Sequence, residues 1–414
     1  MKRNRNLILL MLASEFIFLL PFVMARIFRP TFLKVFQLTN FELGSAFSIY
    51  GVVAMISYFV GGPIADRYSP RKLIAASLLL TAAGGLIMKS IPSIHTLTML
   101  YAFWGISTIL LFWAASVKAI RMNGGSKQQG MSFGLVDAGR GFIAAALASV
   151  SVLLFEAFLP VDVEVASLHQ LEEALGTIIL CFSGLIVFIG LLIWFILHDT
   201  ESEERESPLL SWTGVRSVIK NPMVWLQSII VLCSYVGYKC TDDFSLYASE
   251  VLGYNDVEAA HVGTVSFWVR PLAALAAGFL GDRKHHSLII RLCFLVVLIG
   301  SLGMASGMLQ PGMVTLSILT IAFTSAGIYG LRGLYFALFQ EASLPLIVTG
   351  SAVGVVSLIG YTPDVFMGPL MGYLLDSSPG VQGHQHVFAV LAFFCIPGYL
   401  ATQRFSQLSK RPSQ

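Results

Sequence analysis

Charged residues are scarce in this sequence. Only 12% of its 414 residues are Asp, Glu, Lys or Arg, about half of the ~25% that is usual in soluble proteins. Hydrophobic residues make up 56%, and the mean hydropathy is +0.77. Because a surface in contact with water is built from charged and amide groups, this composition excludes an ordinary soluble protein. It predicts an all-α polytopic membrane protein whose main solvent is the lipid bilayer.

The sequence also lacks the motifs of metal, nucleotide and nucleic-acid sites. It contains no CxxC pair and no phosphate-binding GxxxxGK[ST] loop, and its formal net charge of +3 is too small to indicate a nucleic-acid partner. We therefore predict no metal, no cofactor, no ATP-driven pumping and no enzymatic activity. The five cysteines are expected to be buried packing residues: Cys181, Cys233, Cys240, Cys293 and Cys395.

Long apolar stretches recur along the whole chain. A helix needs about 20 apolar residues to cross ~30 Å of hydrocarbon, and twelve stretches meet that condition. The predicted spans 1 to 12 are residues 8–33, 43–64, 72–90, 96–117, 131–157, 175–197, 221–247, 257–280, 287–307, 312–339, 347–375 and 386–403.

Lysine and arginine are distributed unevenly between the loops on the two sides of these spans. Seventeen lie on the side of the N-terminus, and only Lys34 and Lys89 lie on the other side. Since loops rich in Lys and Arg stay in the cytoplasm, both termini are predicted to be cytoplasmic. The compact length is typical of a bacterial inner-membrane protein, which we expect to be a monomer.

The chain divides into two similar halves. Its longest polar segment, residues 198–220, lies near the midpoint, with six spans before it and six after it. A GxxxDR motif closes span 2 at residues 62–67, and a second one closes span 8 at residues 278–283. The repeat predicts two six-helix bundles, residues 1–197 and 221–414, joined by a cytoplasmic linker at 198–220.

This pair of motifs resembles the major facilitator superfamily, which carries G-x-x-x-D-R between spans 2 and 3 and a weaker copy between spans 8 and 9. The resemblance implies two pseudo-symmetric six-helix bundles and secondary active transport by alternating access. The glycine allows close helix approach, and the charges are expected to form a conformational lock at the cytoplasmic ends. The alternative is that they only obey the loop-charge rule. The predicted lock residues are Gly62, Asp66, Arg67, Arg71, Asp282, Arg283 and Glu341.

The first motif continues as D-R-x-x-P-R at residues 66–71, a form similar to that of the organophosphate:phosphate antiporters. This second resemblance implies paired basic residues across the cavity and phosphate as a possible coupling ion.

Seven basic residues lie inside the predicted spans and outside the counted loops. Arg291, near the end of span 9, can extend to the membrane surface, which leaves six. A charge at mid-membrane costs at least ~2.5–3.5 kcal/mol, so such residues usually face a cavity or a charged partner. The superfamily resemblance places the substrate between the two halves, where these cations would select a small organic anion. The predicted substrate-binding residues are Arg26, Arg29, Tyr235, Lys239, Arg270 and Arg332; the alternative for each basic residue is a structural ion pair.

The acidic residues of the spans are candidates for proton coupling or for neutralising these cations. Asp137 and Arg140 are three residues apart and can pair with each other. Pro363 removes a backbone donor beside Asp364, which predicts a kink that presents this carboxylate near the membrane midplane. No histidine is expected deep in a span, so carboxylates would carry any coupled proton.

Other functions remain open at the level of the sequence. They are a nitrate-type porter, a proton-coupled exporter of drugs or siderophores, a neutral-solute porter of the same superfamily, and a non-transporting membrane receptor or enzyme.

Overall fold

The computed structural model describes residues 2–124, 129–160, 162–197, 218–342 and 346–409, and the side chains of Asp66 and Asp137 lie outside this description. Within these ranges, twelve helices are long and apolar enough to cross a membrane. The all-α polytopic fold with twelve spans is therefore confirmed. Spans 1 to 12 comprise Lys2–Phe16 with Leu19–Val23 and Met24–Ile27; Asn40–Arg67; Pro70–Lys89; Ile94–Gly105 with Ile106–Trp113 and Ala114–Gly124; Gln129–Ala157; Leu168–Ile196; Pro222–Cys240 with Thr241–Asp243 and Phe244–Glu250; Asp256–Arg283; His286–Ala305; Val314–Leu334; Leu346–Gly360 with Pro363–Ser377; and Val381–Ser409.

Polar side chains fix the beginnings of spans 2, 6 and 8. Thr39, Ser167 and Asn255 each accept a hydrogen bond from a backbone N–H of the first turn, and the residue three positions later, Glu or Gln, accepts one from the cap backbone. These capping boxes satisfy N–H groups that have no partner within the helix.

Spans 1, 4, 7 and 11 are interrupted. Leu19–Val23 and Ile106–Trp113 are π-helical, Thr241–Asp243 is a 3₁₀ turn, and the helix of span 11 stops at Gly360 and resumes at Pro363. A further short helix, Arg29–Phe36, follows span 1 after a break at Phe28. Such irregular turns redirect the side chains that follow them, and all four spans contribute to the cavity described below.

Apolar side chains form two buried clusters. One runs from Leu7 to Leu197 and includes Phe267 of span 8, and the other runs from Val218 to Phe405. Large apolar residues such as Phe195 and Leu272 are exposed on the outside, as expected for helices that face lipid. Residues 198–217, most of the predicted linker, lie outside the described residues. Cys181, expected to be buried, is exposed on span 6, because a thiol is apolar enough to face lipid.

Spans 2 and 11 pack closely against each other at one end of the molecule. A Cβ atom on Gly368 would lie 2.5 Å from the carbonyl oxygen of Gly44, and one on Gly51 would lie 2.6 Å from that of Asp364. Only glycine permits this backbone approach. We call this end, where span 2 begins at Asn40, the Asn40 end, and the opposite end, where span 2 finishes at Arg67, the Arg67 end.

Candidate substrate site

A cavity with a volume of about 120 Å³ lies between the two halves of the chain. Its wall is closed towards the Asn40 end by the contact between spans 2 and 11. Of the span 2 residues that line the cavity, Tyr50 and Ala54 are 4% exposed, and Tyr58, nearest the Arg67 end, is 39% exposed. Spans 1, 2, 4, 5, 7, 8, 10 and 11 contribute the lining residues: Glu15, Phe18, Phe22, Val23, Arg26, Tyr50, Ala54, Tyr58, Ile109, Trp113, Arg140, Tyr235, Tyr238, Lys239, Phe267, Arg270, Arg332, Tyr361 and Asp364.

Arg26 of span 1 forms a buried ion pair with Asp242 of span 7. The Arg26 Nε atom lies 2.5 Å from Asp242 Oδ1, and Nη1 donates to the Tyr238 hydroxyl at 3.2 Å. Both charged side chains are less than a tenth exposed. A buried pair of this kind needs both members, because a lone charge in the same place would be strongly destabilising.

Lys239 lies between two carboxylates. Its Nζ atom is 3.4 Å from Asp242 Oδ2 and 3.4 Å from Asp364 Oδ1. The Tyr235 hydroxyl donates to the other oxygen of Asp364 at 3.0 Å. The interruption of span 11 thus places Asp364 in the cavity, where it meets Lys239 and Tyr235 as a shared partner.

Glu15 of span 1 holds two further arginines. Its carboxylate oxygens lie 3.1 Å from Arg140 Nε and 3.3 Å from Arg270 Nη1. This contact joins spans 1, 5 and 8. The predicted pair of Arg140 with Asp137 involves a side chain outside the described residues and stays a prediction.

Arg332 of span 10 is held by aromatic faces. Its guanidinium carbon lies 3.7 Å from the centre of the Tyr238 ring and 5.7 Å from that of Tyr235, a cation–π arrangement. Within the described ranges, its Nη1 atom is buried without a hydrogen-bond partner, and no carboxylate lies within ion-pair distance. Arg332 differs in this respect from Arg26 and Lys239.

The structure does not bring Arg29 to the cavity wall. The helix break at Phe28 separates it from the face that carries Arg26. Arg29 Nη2 instead donates to Asn40 Oδ1 at 3.0 Å, and Nη1 donates to the backbone carbonyl of Asp242 at 3.5 Å.

Among the predicted lock residues, the described ones of the first motif lie at the Arg67 end. Gly61, next to Gly62, makes a close approach, since its Cβ would lie 3.0 Å from the Leu110 carbonyl oxygen. Lys118 Nζ donates to the carbonyl of Ala65 at 2.9 Å, near the end of span 2. Arg67 is exposed and Arg71 is half-buried, while the side chain of Asp66 lies outside the described residues.

The lock residues of the second motif make their contacts within the C-terminal half. Glu341 accepts a hydrogen bond from the backbone N–H of Ser287 at 3.0 Å and lies 3.5 Å from His286. Asp282, which is largely exposed, lies 3.4 Å from His286 on the other side of the ring, and Arg283 stacks on Phe279.

His384 lies in the first turn of span 12 and not deep in it, yet its imidazole is buried, which the sequence did not indicate. Its ring is fully buried, with Nδ1 2.8 Å from Asp243 Oδ2 and Nε2 3.1 Å from Glu250 Oε2. Span 12 begins at Val381 rather than at residue 386, so His384 falls inside it. These hydrogen bonds to two carboxylates of span 7 offset the energetic cost of burying the polar ring.

Sequence reasoning missed several residues of the cavity. Glu15 and Asp242 are acids in predicted spans with no arginine partner indicated by the sequence, and no motif marks Tyr238 or Phe22. The sequence does contain a pattern that indicates Glu15. Residues 15, 18, 22 and 26 follow the three- and four-residue spacing of one helix face, which places Glu15 on the same face as Arg26. The partner of Arg26, 216 positions away, carries no comparable local signal.

The family model described as Major Facilitator Superfamily matches residues 9–363. Two similar proteins of Escherichia coli K12 are each 26% identical. Inner membrane protein YqcE aligns over 94% of this chain and 92% of its own length, and inner membrane protein YihN over 97% and 96%.

Solved structures share the fold. A bacterial homologue of the human lysosomal transporter Spinster, inward-facing and unoccupied, gives a TM-score of 0.75 at 15% identity over 100% of this chain and 99% of its own. The nucleoside transporter NupG gives 0.73 at 12% identity over 97% and 99%. The chain therefore belongs to the major facilitator superfamily and is a multi-pass integral transporter of the inner membrane.

Proposed function

We propose that this transporter carries a small organic anion, of the phosphorylated or carboxylated kind, and that Arg332 binds its anionic group. The observation that carries the proposal is the buried Nη1 atom of Arg332, which has no partner among the described residues. A guanidinium offers paired donors that match a carboxylate or phosphate. The rings of Tyr238 and Tyr235 fix its position without neutralising its charge.

The charge balance of the cavity supports an anionic substrate. Five cations line the wall and, within the described residues, three carboxylates contact them; the cations are Arg26, Arg140, Lys239, Arg270 and Arg332, and the carboxylates are Glu15, Asp242 and Asp364. Among these described residues positive charge is in excess, and a cavity with low-dielectric walls strengthens its attraction for anions. Nine aromatic residues also line the wall, and their rings can contact the carbon skeleton of an organic anion.

For the transport cycle, we take the bundles 1–197 and 221–414 as the moving units, joined by the linker 198–220. With both termini in the cytoplasm, the Arg67 end is cytoplasmic and the cavity opens inward. Phosphate or protons are the proposed coupling ions, with Asp364 as the proton carrier or counter-ion. The protein is proposed to act as a monomer.

A second candidate is proton-coupled transport of a neutral solute. It is favoured by the position of Lys239 between Asp242 and Asp364, because protonation of Asp364 would leave Lys239 to Asp242 alone. In this alternative, Arg332 would donate hydrogen bonds to an uncharged polar group.

The test is a counterflow screen with purified protein in liposomes. Phosphorylated, carboxylated, neutral and cationic metabolites are offered one class at a time as internal solutes. We expect exchange with anions only. Exchange with neutral or cationic solutes, and none with anions, would contradict the proposal. Uptake compared with and without internal phosphate, and with and without a pH gradient, then identifies the coupling ion.

A further inference from the structure

The Asn40 end is held shut by a carboxylate from the opposite half of the molecule. Asp376, near the end of span 11, accepts hydrogen bonds from the backbone N–H of Asn40 at 3.1 Å and of Phe41 at 2.8 Å. It also accepts one from the Asn40 side-chain amide at 3.2 Å. A carboxylate at a helix N-terminus is stabilised both by these N–H groups and by the helix dipole.

The side chain of Asn40 connects this contact to the cavity. Its amide nitrogen donates to Asp376, while its amide oxygen accepts from Arg29 Nη2 at 3.0 Å. Arg29 in turn reaches the backbone carbonyl of Asp242, whose carboxylate contacts Arg26 and Lys239. A continuous polar chain therefore runs from Asp376 at the surface to Lys239 in the cavity wall.

We propose that Arg29 and Asn40 couple the charge state of the cavity to closure of the Asn40 end. When Asp242 shifts towards or away from Lys239, its carbonyl moves relative to Arg29, and Arg29 moves the Asn40 side chain that Asp376 holds. When the Asn40 end opens, spans 2 and 11 separate and Asp376 loses its three donors. Arg29 is thus a positioning residue for the conformational change and not a ligand of the substrate. The inference goes beyond the proposed function and holds for a substrate of any charge.

A second contact at the same end offers a matched control. Lys34 Nζ lies 2.8 and 2.9 Å from the carboxylate oxygens of Asp256, which joins the helix Arg29–Phe36 to span 8. This ion pair links the two halves directly, without passing through the cavity residues. Its loss should open the Asn40 end by an amount that does not depend on Asn40 or on the cavity.

The experiment measures the distance between spin labels across the Asn40 end. Cysteines replace Ser90, after span 3, and Ser306, after span 9, both exposed, in a Cys181→Ser background. Double electron–electron resonance on the full-length protein in lipid nanodiscs, with no substrate added, then reports the populations of the closed and open forms.

Loss of any link should raise the open population. We expect Asp376→Ala, Asn40→Ala and Arg29→Met each to raise the ratio of open to closed forms at least about threefold. Because Arg29 and Asp376 act through the same link, the double variant Arg29→Met with Asp376→Ala should have an open population no higher than that of the more open single variant. Lys34→Gln should add its effect to that of Arg29→Met. Arg29 is buried, so Arg29→Met could disturb folding. Asn40→Ala removes the same Arg29–Asn40 contact while the backbone N–H of residue 40 still donates to Asp376, and it therefore tests the link independently.

The decisive arm changes the cavity. Asp364→Asn removes one partner of Lys239, and we expect it to shift the open population when Asn40 is present but to have no effect in the Asn40→Ala background. Equal shifts in both backgrounds would overturn the proposal, as would an unchanged closed population in both Asn40→Ala and Arg29→Met. Neither result would bear on the charge of the substrate.

Discussion

Lys239 Nζ and Asp364 Oδ1 lie 3.4 Å apart in the wall of the cavity, although they belong to spans 7 and 11. Both are charged groups in a largely apolar part of the chain, and each is held by a second neighbour, Asp242 for the lysine and Tyr235 for the acid. Their contact requires the interruption of span 11 ahead of Pro363. The two residues are therefore expected to depend on each other in stability as well as in transport.

The first prediction concerns this dependence. Lys239→Gln leaves Asp364 without its cation, whereas Asp242 keeps Arg26, and breaking a buried pair costs about 3–5 kcal/mol. We expect a clear fall in the thermal unfolding temperature of the protein in detergent, and a loss of transport. The double change Lys239→Gln with Asp364→Asn should recover a large part of the stability but not the transport. A double variant no more stable than Lys239→Gln would show that the two residues act independently.

The second prediction concerns the glycine contact of spans 2 and 11. A methyl group on Gly44 would collide with the backbone of Gly368, and overpacking costs about 1–3 kcal/mol. Gly44→Ala should therefore disfavour closure at the Asn40 end and slow exchange, with membrane insertion unchanged. Gly354→Ala, in the same span 11, is the control, because a Cβ there meets nothing within 4 Å. If the control slows exchange as much, the close contact is not the cause.

The third prediction concerns His384. His384→Phe leaves Asp243 buried without its imidazole partner, so we expect a loss of about 1–3 kcal/mol in stability. Substrate affinity should stay the same, because His384 does not line the cavity. Denaturation and binding are measured on the same preparations, with His386→Phe, on the same helix and half-buried, as the control. A change in affinity without a change in stability would place His384 in the transport mechanism instead.

The fourth prediction is the orientation in the membrane. The distribution of lysine and arginine places both termini in the cytoplasm, so a phosphatase fused after Gln414 should be inactive and a fluorescent protein at the same place should be bright. The opposite pattern would invert the cycle proposed above, and the cavity would then open to the outside.

The sequence was sufficient for the number of spans and for most of the charged side chains of the cavity, because apolar stretches of membrane length and charges within them are local features. It was not sufficient for the partners of these charges. Arg26 and Arg29 are three residues apart and should share a helix face, yet the break at Phe28 sends Arg29 to Asn40. Breaks of this kind depend on packing between distant helices, and the burial of His384 likewise depends on acids of span 7.

The central claim is that the cavity binds an organic anion through Arg332, and the most direct measurement is calorimetric binding of the anion identified by counterflow. Replacing Arg332 by Gln removes a charge-assisted interaction of about 1.5–3 kcal/mol, so the affinity should fall roughly ten- to a hundredfold. Arg332→Lys should retain part of the affinity, because it keeps the charge and loses the paired donors. Arg404→Gln, an exposed change at the end of span 12, should have no effect. An unchanged affinity in Arg332→Gln would contradict the account.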